Sequence, residues 1–408
     1  MFLSTKKHFF ITNYRAFASF SQNFKLKSIQ DLNDSIELSI SIDQKKFENL
    51  LIPLVWLRDH CKSDKCYEWS TNQRKSNSVD LFEKSKLVED GNPIEVQEKS
   101  LKVFWRDGHH SEYSAERLLD EIVKKTQLQS SIEAWDNTLK TSLPRLNYST
   151  NFSFKNFGNL FVKYGFVIVD GVEKTAEATE KFCRELGPIQ NTFFGDFWVF
   201  SNEGQNNNHE DTAYGNETIG PHTDGTYLDQ SPGIQVFHCL HPAAKGGNTV
   251  LTDGFKCAKL LRQQFPDFYK TLTTFEIDHH YLEGKKGKRS LISRASNKRV
   301  IETDIDDYLR QIRFNPYDRA PFSFVNGRYT VSEVITFYKA YTEFSRICHD
   351  HTLSIDLHLE PGSVIFIDNH RVFHSRTSFT GFRKMAGCYM SRDNLLAKIR
   401  PNLDSFII

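Results

Sequence analysis

Gly220-Pro221-His222-Thr223-Asp224-Gly225-Thr226-Tyr227, read together with a distant His374, is the stretch on which the fold turns. On an extended segment, side chains two residues apart point to the same side, so His222 and Asp224 converge. With His374 they offer two imidazoles and one carboxylate. Such a set occupies one face of an octahedral metal and leaves the opposite face for a bidentate co-substrate and for dioxygen. Structural zinc wants four filled positions, so the donor set points to ferrous iron. A His-x-Asp pair alone is a weak signal, and the surrounding chain is what strengthens it.

Outward from this pair, the chain offers a series of short apolar strands. Gly233 to Leu240, Thr249 to Thr252, Ser363 to Asp368 and Met385 to Met390 have this character, and His374 stands between two such runs. Pro361-Gly362 predicts a turn before the third of them. Phe161 to Val169 reads as a buried strand that opens the domain. A helix is expected over Ala176 to Leu186, stopped at Gly187-Pro188, and another over Val331 to Tyr341. Short strands gathered around a metal motif indicate a barrel or jelly roll rather than a parallel sheet.

A smaller β-rich module precedes this domain, over residues 31–128, with the larger domain spanning 140–408. Ile36 to Ile42 alternates apolar and polar residues as a half-buried strand does. Leu51 to Leu57 and Leu101 to Trp105 are further apolar runs. Ser114 reads as an N-cap, with Leu118, Leu119, Ile122 and Val123 forming one helical stripe. Residues 1–30 contain no Asp or Glu, and Lys6, Lys7, Arg15, Lys25 and Lys27 alternate with Phe and Ser. That composition is the one of a mitochondrial transit peptide, which places the protein in the mitochondrial matrix and sets the segment apart from the fold.

Bulk properties exclude several classes. The formal net charge of +1 argues against nucleic acid or another polyanion as partner. The chain has no apolar run long enough to span a membrane. Seven cysteines without framework spacing suit a reducing compartment. The 34 Phe and 15 Tyr favour strands and ligand pockets.

A co-substrate with a distal carboxylate needs a cation at fixed distance from the metal. Arg383 lies on the segment Phe382 to Met390, just beyond His374, and its planar fork grips a carboxylate through two bonds. Thr249, after Gly246-Gly247-Asn248, offers a hydroxyl donor to the same group. These segments, together with Phe366-Ile367-Asp368-Asn369-His370-Arg371-Val372-Phe373-His374 and Phe379-Thr380-Gly381-Phe382-Arg383, resemble the γ-butyrobetaine hydroxylase and trimethyllysine dioxygenase family. The resemblance covers nearly all of the chain after about residue 32. Asp211-Thr212-Ala213-Tyr214 and the Gly-Ile-Gln-Val-Phe-His-Cys strand are closer to the trimethyllysine branch.

What the resemblance implies is specific. The fold would be mostly β with flanking helices, a double-stranded β-helix (jelly-roll) oxygenase core beside the small N-terminal domain. The cofactors would be Fe(II), 2-oxoglutarate as co-substrate and ascorbate. The reaction would be C3 hydroxylation of free trimethyllysine, the first step of carnitine biosynthesis. Arg383 and Thr249 would hold 2-oxoglutarate. A quaternary ammonium donates no hydrogen bonds and is held by aromatic faces, at about 2 kcal/mol or more per desolvated contact. The family's cage positions match Phe194, Trp198, Tyr214 and Tyr389, with Phe194 standing where the butyrobetaine branch has tyrosine. Asp211 would face the substrate's α-ammonium and Asn315 its carboxylate. In related proteins three cysteines and a histidine hold zinc in the N-terminal module. Cys61, Cys66 and His109 match here, but Ser63 replaces the middle cysteine, leaving the tetrahedral set one thiolate short. The module is then expected to pack by its apolar strands and to support a homodimer. The competing readings are γ-butyrobetaine hydroxylation, a silent trimethylammonium-binding protein and a zinc hydrolase. The silent protein would lack a ligand or the arginine, and the hydrolase would need a catalytic base.

Overall fold

The computed structural model describes residues 24–31, 34–42, 45–75, 77–97, 99–123, 131–202, 215–285, 287–321 and 328–403. They divide into two compact units, residues 1–126 and 127–408. Among the described residues no helix is long and apolar enough to cross a membrane.

The first unit holds two three-stranded antiparallel sheets, Phe24–Asp31, Ser35–Ile42 and Lys45–Pro53 in one, Ile94–Val96, Ser100–Phe104 and His110–Ser114 in the other. Ile36, Leu38 and Ile40 are buried while the residues between them are not, as the alternation predicts. They pack with Leu101, Val103, Trp105 and Tyr113 and with Leu118 of the helix Ala115–Val123. Ser114 caps that helix by accepting a hydrogen bond from Arg117 N at 3.2 Å. The first strand begins at Phe24, inside the stretch set aside as a leader; residues 1–23 lie outside the described residues. The apolar run Leu51 to Leu57 is not one element. Pro53 ends the strand because it has no N–H to donate, and Leu54–Asp59 continues as a helix.

The second unit is a double-stranded β-helix. A six-stranded sheet runs in the order Phe197–Ser201, Lys384–Met390, Ile234–His241, Val364–Asp368, Phe166–Asp170, Arg145–Asn147. A four-stranded sheet runs Ile219–His222, Val372–Arg376, Thr249–Asp253, Ser354–Leu357. Cys239, Ile365, Ile367 and Met385 of the larger sheet and Leu251, Ile355 and Val372 of the smaller fill one core between them. Helices Phe154–Tyr164, Ala176–Leu186 and Arg392–Ile399 pack their apolar stripes on the outer face of the large sheet. The expected strand over Phe161 to Val169 is in fact two elements. Phe157 and Phe161 form the buried stripe of a helix, Gly165 closes it with φ 76°, and only Phe166–Asp170 is strand. Helix Val331–Cys348 runs beyond the expected end at Tyr341 and starts from a capping box of Thr330 and Glu333.

Candidate active site

The small sheet places the site. His222 ends the strand Ile219–His222 and His374 lies in Val372–Arg376; the two are register partners, with ring centroids 4.4 Å apart. Asp224 lies just past the strand end, where the chain turns at Gly225 with φ +64°; a Cβ there would stand 2.4 Å from Pro232 Cδ. Asp224 Oδ1 is 3.3 Å from His222 Nε2 and 3.4 Å from His374 Nε2. The N–H of His222 Nδ1 is committed to the Gly220 carbonyl at 2.8 Å, which leaves Nε2 as the ring atom that faces Asp224. Burial alone would raise the Asp224 carboxyl, but the charges and hydrogen bonds of the two imidazoles outweigh it and hold it far below the ordinary carboxylate range. A divalent cation that displaces the Nε2 protons would meet two nitrogens and one carboxylate oxygen at one point, a trio that suits iron.

The donors stand in a cavity of about 170 Å³ between the sheets. Arg383 and Thr249 both line it and are both nearly buried, at 8% and 6% exposed. Burial lowers the Arg383 pKa from its ordinary value, and among the described residues no carboxylate pairs with its guanidinium. A buried cation without an anion is costly, so the arrangement fits an anionic ligand. The positive φ of Gly246 and Gly247 (75° and 74°) turns the chain into the Thr249 strand; a Cβ on Gly247 would stand 3.3 Å from Arg383 Cδ. Arg383 itself precedes the strand Lys384–Met390 rather than lying in it.

Of the aromatic positions, Phe194, Trp198 and Tyr389 line this cavity. Trp198 and Tyr389 meet at right angles, 88° between planes and 5.4 Å between centroids, forming a corner of two π faces. The indole lies over Gly387, its register partner, where a Cβ would come within 2.0 Å of Cζ3. Tyr389 also donates a hydrogen bond to Asp224 Oδ2 at 3.0 Å. Tyr214 and Asp211 lie outside the described residues. Asn315 is not brought to the cavity: its Nδ2 donates to Asp318 Oδ2 at 2.7 Å and its Oδ1 accepts from Tyr317 N at 3.0 Å. The Asn-Pro-Tyr turn consumes this amide locally, as such asparagines do.

Six lining residues escaped the sequence reading: Phe200, Ile219, Gln235, Phe237, Ser375 and Arg376. Gln235 is fully buried, and its Oε1 has no hydrogen-bond partner among the described residues. A glutamine inside an otherwise apolar strand was the available signal. Arg376, two residues after His374 on one strand, shares its face by the period-two rule, whereas Asp224 meets His222 through the turn that follows its strand.

In the first unit, Cys61 Sγ, Ser63 Oγ and Cys66 Sγ stand 3.4, 3.4 and 3.5 Å from His109 Nε2. Burial and the nearby Arg58 charge push His109 down to about 4, so its imidazole is neutral near pH 7. Two sulfurs and one nitrogen converge here, with a hydroxyl in the fourth corner.

The model of the taurine catabolism dioxygenase TauD, TfdA family matches residues 124–389. That of the γ-butyrobetaine hydroxylase-like N-terminal domain matches residues 29–119. The chain is similar to the mitochondrial trimethyllysine dioxygenase of Mus musculus, 34% identical over 90% of this chain and 85% of that protein. It is 32% identical to the trimethyllysine dioxygenase of Meyerozyma guilliermondii, over 87% of this chain and 90% of that one. With the γ-butyrobetaine dioxygenase of Pongo abelii the identity falls to 26%, over 86% and 91%.

Proposed function

This chain belongs to the trimethyllysine dioxygenase family, within the TauD, TfdA dioxygenases, and from that premise we propose that it hydroxylates free trimethyllysine at C3. Trimethyllysine, 2-oxoglutarate and dioxygen would give 3-hydroxytrimethyllysine, succinate and carbon dioxide, one oxygen atom entering each organic product. The observation that carries the reading is one cavity with the His222, Asp224 and His374 donors, a buried Arg383 and a perpendicular Trp198–Tyr389 corner on its lining.

Each part has a physical task. His222, Asp224 and His374 hold the metal, and Fe(II) when bound supplies the coupling of 2-oxoglutarate decarboxylation to C–H oxidation. Arg383 pairs with the distal carboxylate of 2-oxoglutarate and Thr249 donates a hydroxyl to it, which fixes the oxo-acid end toward the triad. The aromatic corner holds the trimethylammonium by its polarised methyl groups. Phe237, whose ring lies 5.7 Å from that of His374, keeps water from the space between. No protein acid or base is required at the reacting carbon.

Finer expectations belong to the same reading. The relatives named mitochondrial, in Mus musculus, Gallus gallus and Homo sapiens, support a mitochondrial address. The matrix would be the compartment, and the leader would have to end before the Phe24–Asp31 strand, short of the thirty residues expected from composition. Ascorbate would keep the iron reduced. The N-terminal module would support a homodimer, with a zinc site left incomplete at Ser63.

The test is turnover by mass spectrometry with Fe(II), 2-oxoglutarate, ascorbate and equal trimethyllysine and γ-butyrobetaine. One oxygen added to trimethyllysine with matching succinate is expected. Oxygen on γ-butyrobetaine alone would move the protein to the other branch, and succinate without either product would leave the iron site and overturn the substrate.

A further inference from the structure

Asp224 presents its two oxygens to different partners. Oδ1 faces both imidazole nitrogens, at 3.3 and 3.4 Å, and is the oxygen aimed at the metal position. Oδ2 is turned away and accepts the Tyr389 hydroxyl at 3.0 Å. The same tyrosine supplies its ring to the perpendicular corner with Trp198. We propose that Tyr389 is a positioning residue for the metal as well as a wall of the substrate pocket: its hydroxyl keeps Asp224 a one-oxygen ligand while its ring receives the cation.

The count of coordination positions gives the reason. Two nitrogens and one oxygen leave three positions of an octahedron. A bidentate 2-oxo acid needs two of these and the oxidant the third. A carboxylate free to swing would bring Oδ2 onto the metal and take one of them. The phenol prevents this by occupying Oδ2, and outer groups of this kind commonly set both the orientation and the affinity of a metal ligand. The tyrosine is itself held. Its backbone carbonyl accepts from Gln190 N at 2.8 Å, and it pairs in register with Gln235 in the centre of the large sheet. Cys388 and Met390 on either side point the other way, into the core against the outer helices. The ring therefore cannot shift on the substrate without moving the hydroxyl on Asp224, and the geometry ties cation docking to ligand placement.

The inference rests on the iron reading of the triad, not on the identity of the substrate. Its test compares Tyr389→Phe, Tyr389→Leu and Trp198→Leu in the full-length protein. Co(II) binding to the metal-free protein is followed by calorimetry, the visible charge-transfer absorbance of the anaerobic Fe(II)–2-oxoglutarate complex by spectroscopy, and KM and kcat for trimethyllysine by turnover. Tyr389→Phe is expected to shift the absorbance band, because Oδ2 is then free to take a position that 2-oxoglutarate needs, and to change Co(II) affinity about 10-fold or more, with KM for trimethyllysine within about threefold of the parent. Tyr389→Leu should add a rise in KM of about 10-fold or more. Trp198→Leu should raise KM and leave Co(II) affinity within about twofold. Parent-like Co(II) affinity in Tyr389→Phe would overturn the proposal, and so would an equal change of Co(II) affinity in Trp198→Leu. Co(II) binding and the absorbance band need no substrate, so failure of trimethyllysine as substrate is read separately from failure of the tyrosine's role.

Discussion

Asn369 clamps the backbone of Asp224 from both sides. Its Oδ1 accepts the Asp224 N–H at 2.8 Å, and its Nδ2 donates to the Asp224 carbonyl at 3.0 Å and to the Pro232 carbonyl at 2.8 Å. The amide is 1% exposed, so these groups have no water to turn to. Asn369→Ala should therefore lower the unfolding free energy by about 1–3 kcal/mol, read from urea titration, and weaken metal binding in the same protein. Unchanged Co(II) affinity would mean that the clamp holds the loop but not the ligand.

Arg383 carries a charge that burial penalises unless an anion arrives. Arg383→Ala should raise the KM for 2-oxoglutarate by about 100-fold or more while leaving Co(II) binding near the parent value. A two-bond charged contact removed from a dry site is worth about 2–5 kcal/mol, and the lysine variant should recover only part of it because it offers a point charge. A KM unaltered in Arg383→Ala would transfer the anchor to Arg376, on the same cavity lining.

The aromatic corner predicts sensitivity to charge at constant shape. Replacing the trimethylammonium of trimethyllysine by its tert-butyl carbon isostere should raise KM about 30-fold, the equivalent of about 2 kcal/mol. In Trp198→Leu the two substrates should approach one another. A ratio that survives this substitution would place the cation elsewhere.

His238 predicts an acid limit to stability. Gly362 N donates to its Nε2 at 3.1 Å, so the ring proton sits on Nδ1 and faces Thr179 Oγ1 at 2.6 Å, whose own proton goes to the Thr175 carbonyl at 2.7 Å. Protonating Nε2 would set two donors against each other. Burial holds His238 down at about 4 and, with the charges of Arg313 and Arg319, His279 at about 3. Both lie below the unfolded value, so the unfolded chain binds more protons in between and stability rises with pH there. Unfolding free energy should fall by about 1.4 kcal/mol per pH unit for each histidine as pH drops from near 6.5 toward 4. His238→Gln should remove one of these contributions from the slope.

Ser63 predicts the behaviour of the N-terminal cluster. With Cys61, Cys66 and His109 already gathered, Ser63→Cys should retain one zinc per chain after dialysis against a chelator, while the parent loses it. Metal analysis by mass spectrometry decides this, and zinc retained by the parent would show that the hydroxyl or a water closes the site.

Much of the fold was legible where the signal is local. The alternation of Ile36, Leu38 and Ile40, the Ser114 cap and the Gly187 stop depend on residues within a turn or two of each other, and each stands where periodicity put it. The reading failed where an apolar run concealed a change of element, at Leu51 to Leu57 and Phe161 to Val169. Apolarity is common to buried helices and buried strands, and only Pro53 and the left-handed Gly165 mark the boundaries.

The site divides in the same way. By itself the sequence determined the donor chemistry, because His222 and Asp224 lie two residues apart and residue type decides what can ligate iron or grip a carboxylate. Tertiary structure alone decided the company those groups keep. It made His222 and His374 register partners, set Trp198 over Gly387, brought Gln235 and Arg376 to the cavity, left Asn315 outside it and turned the Tyr389 hydroxyl onto Asp224. These are consequences of strand register between segments far apart in the chain. A shift of one residue in any of those pairings would reverse which side chains face the metal, and no local pattern records which register the folded sheets adopt.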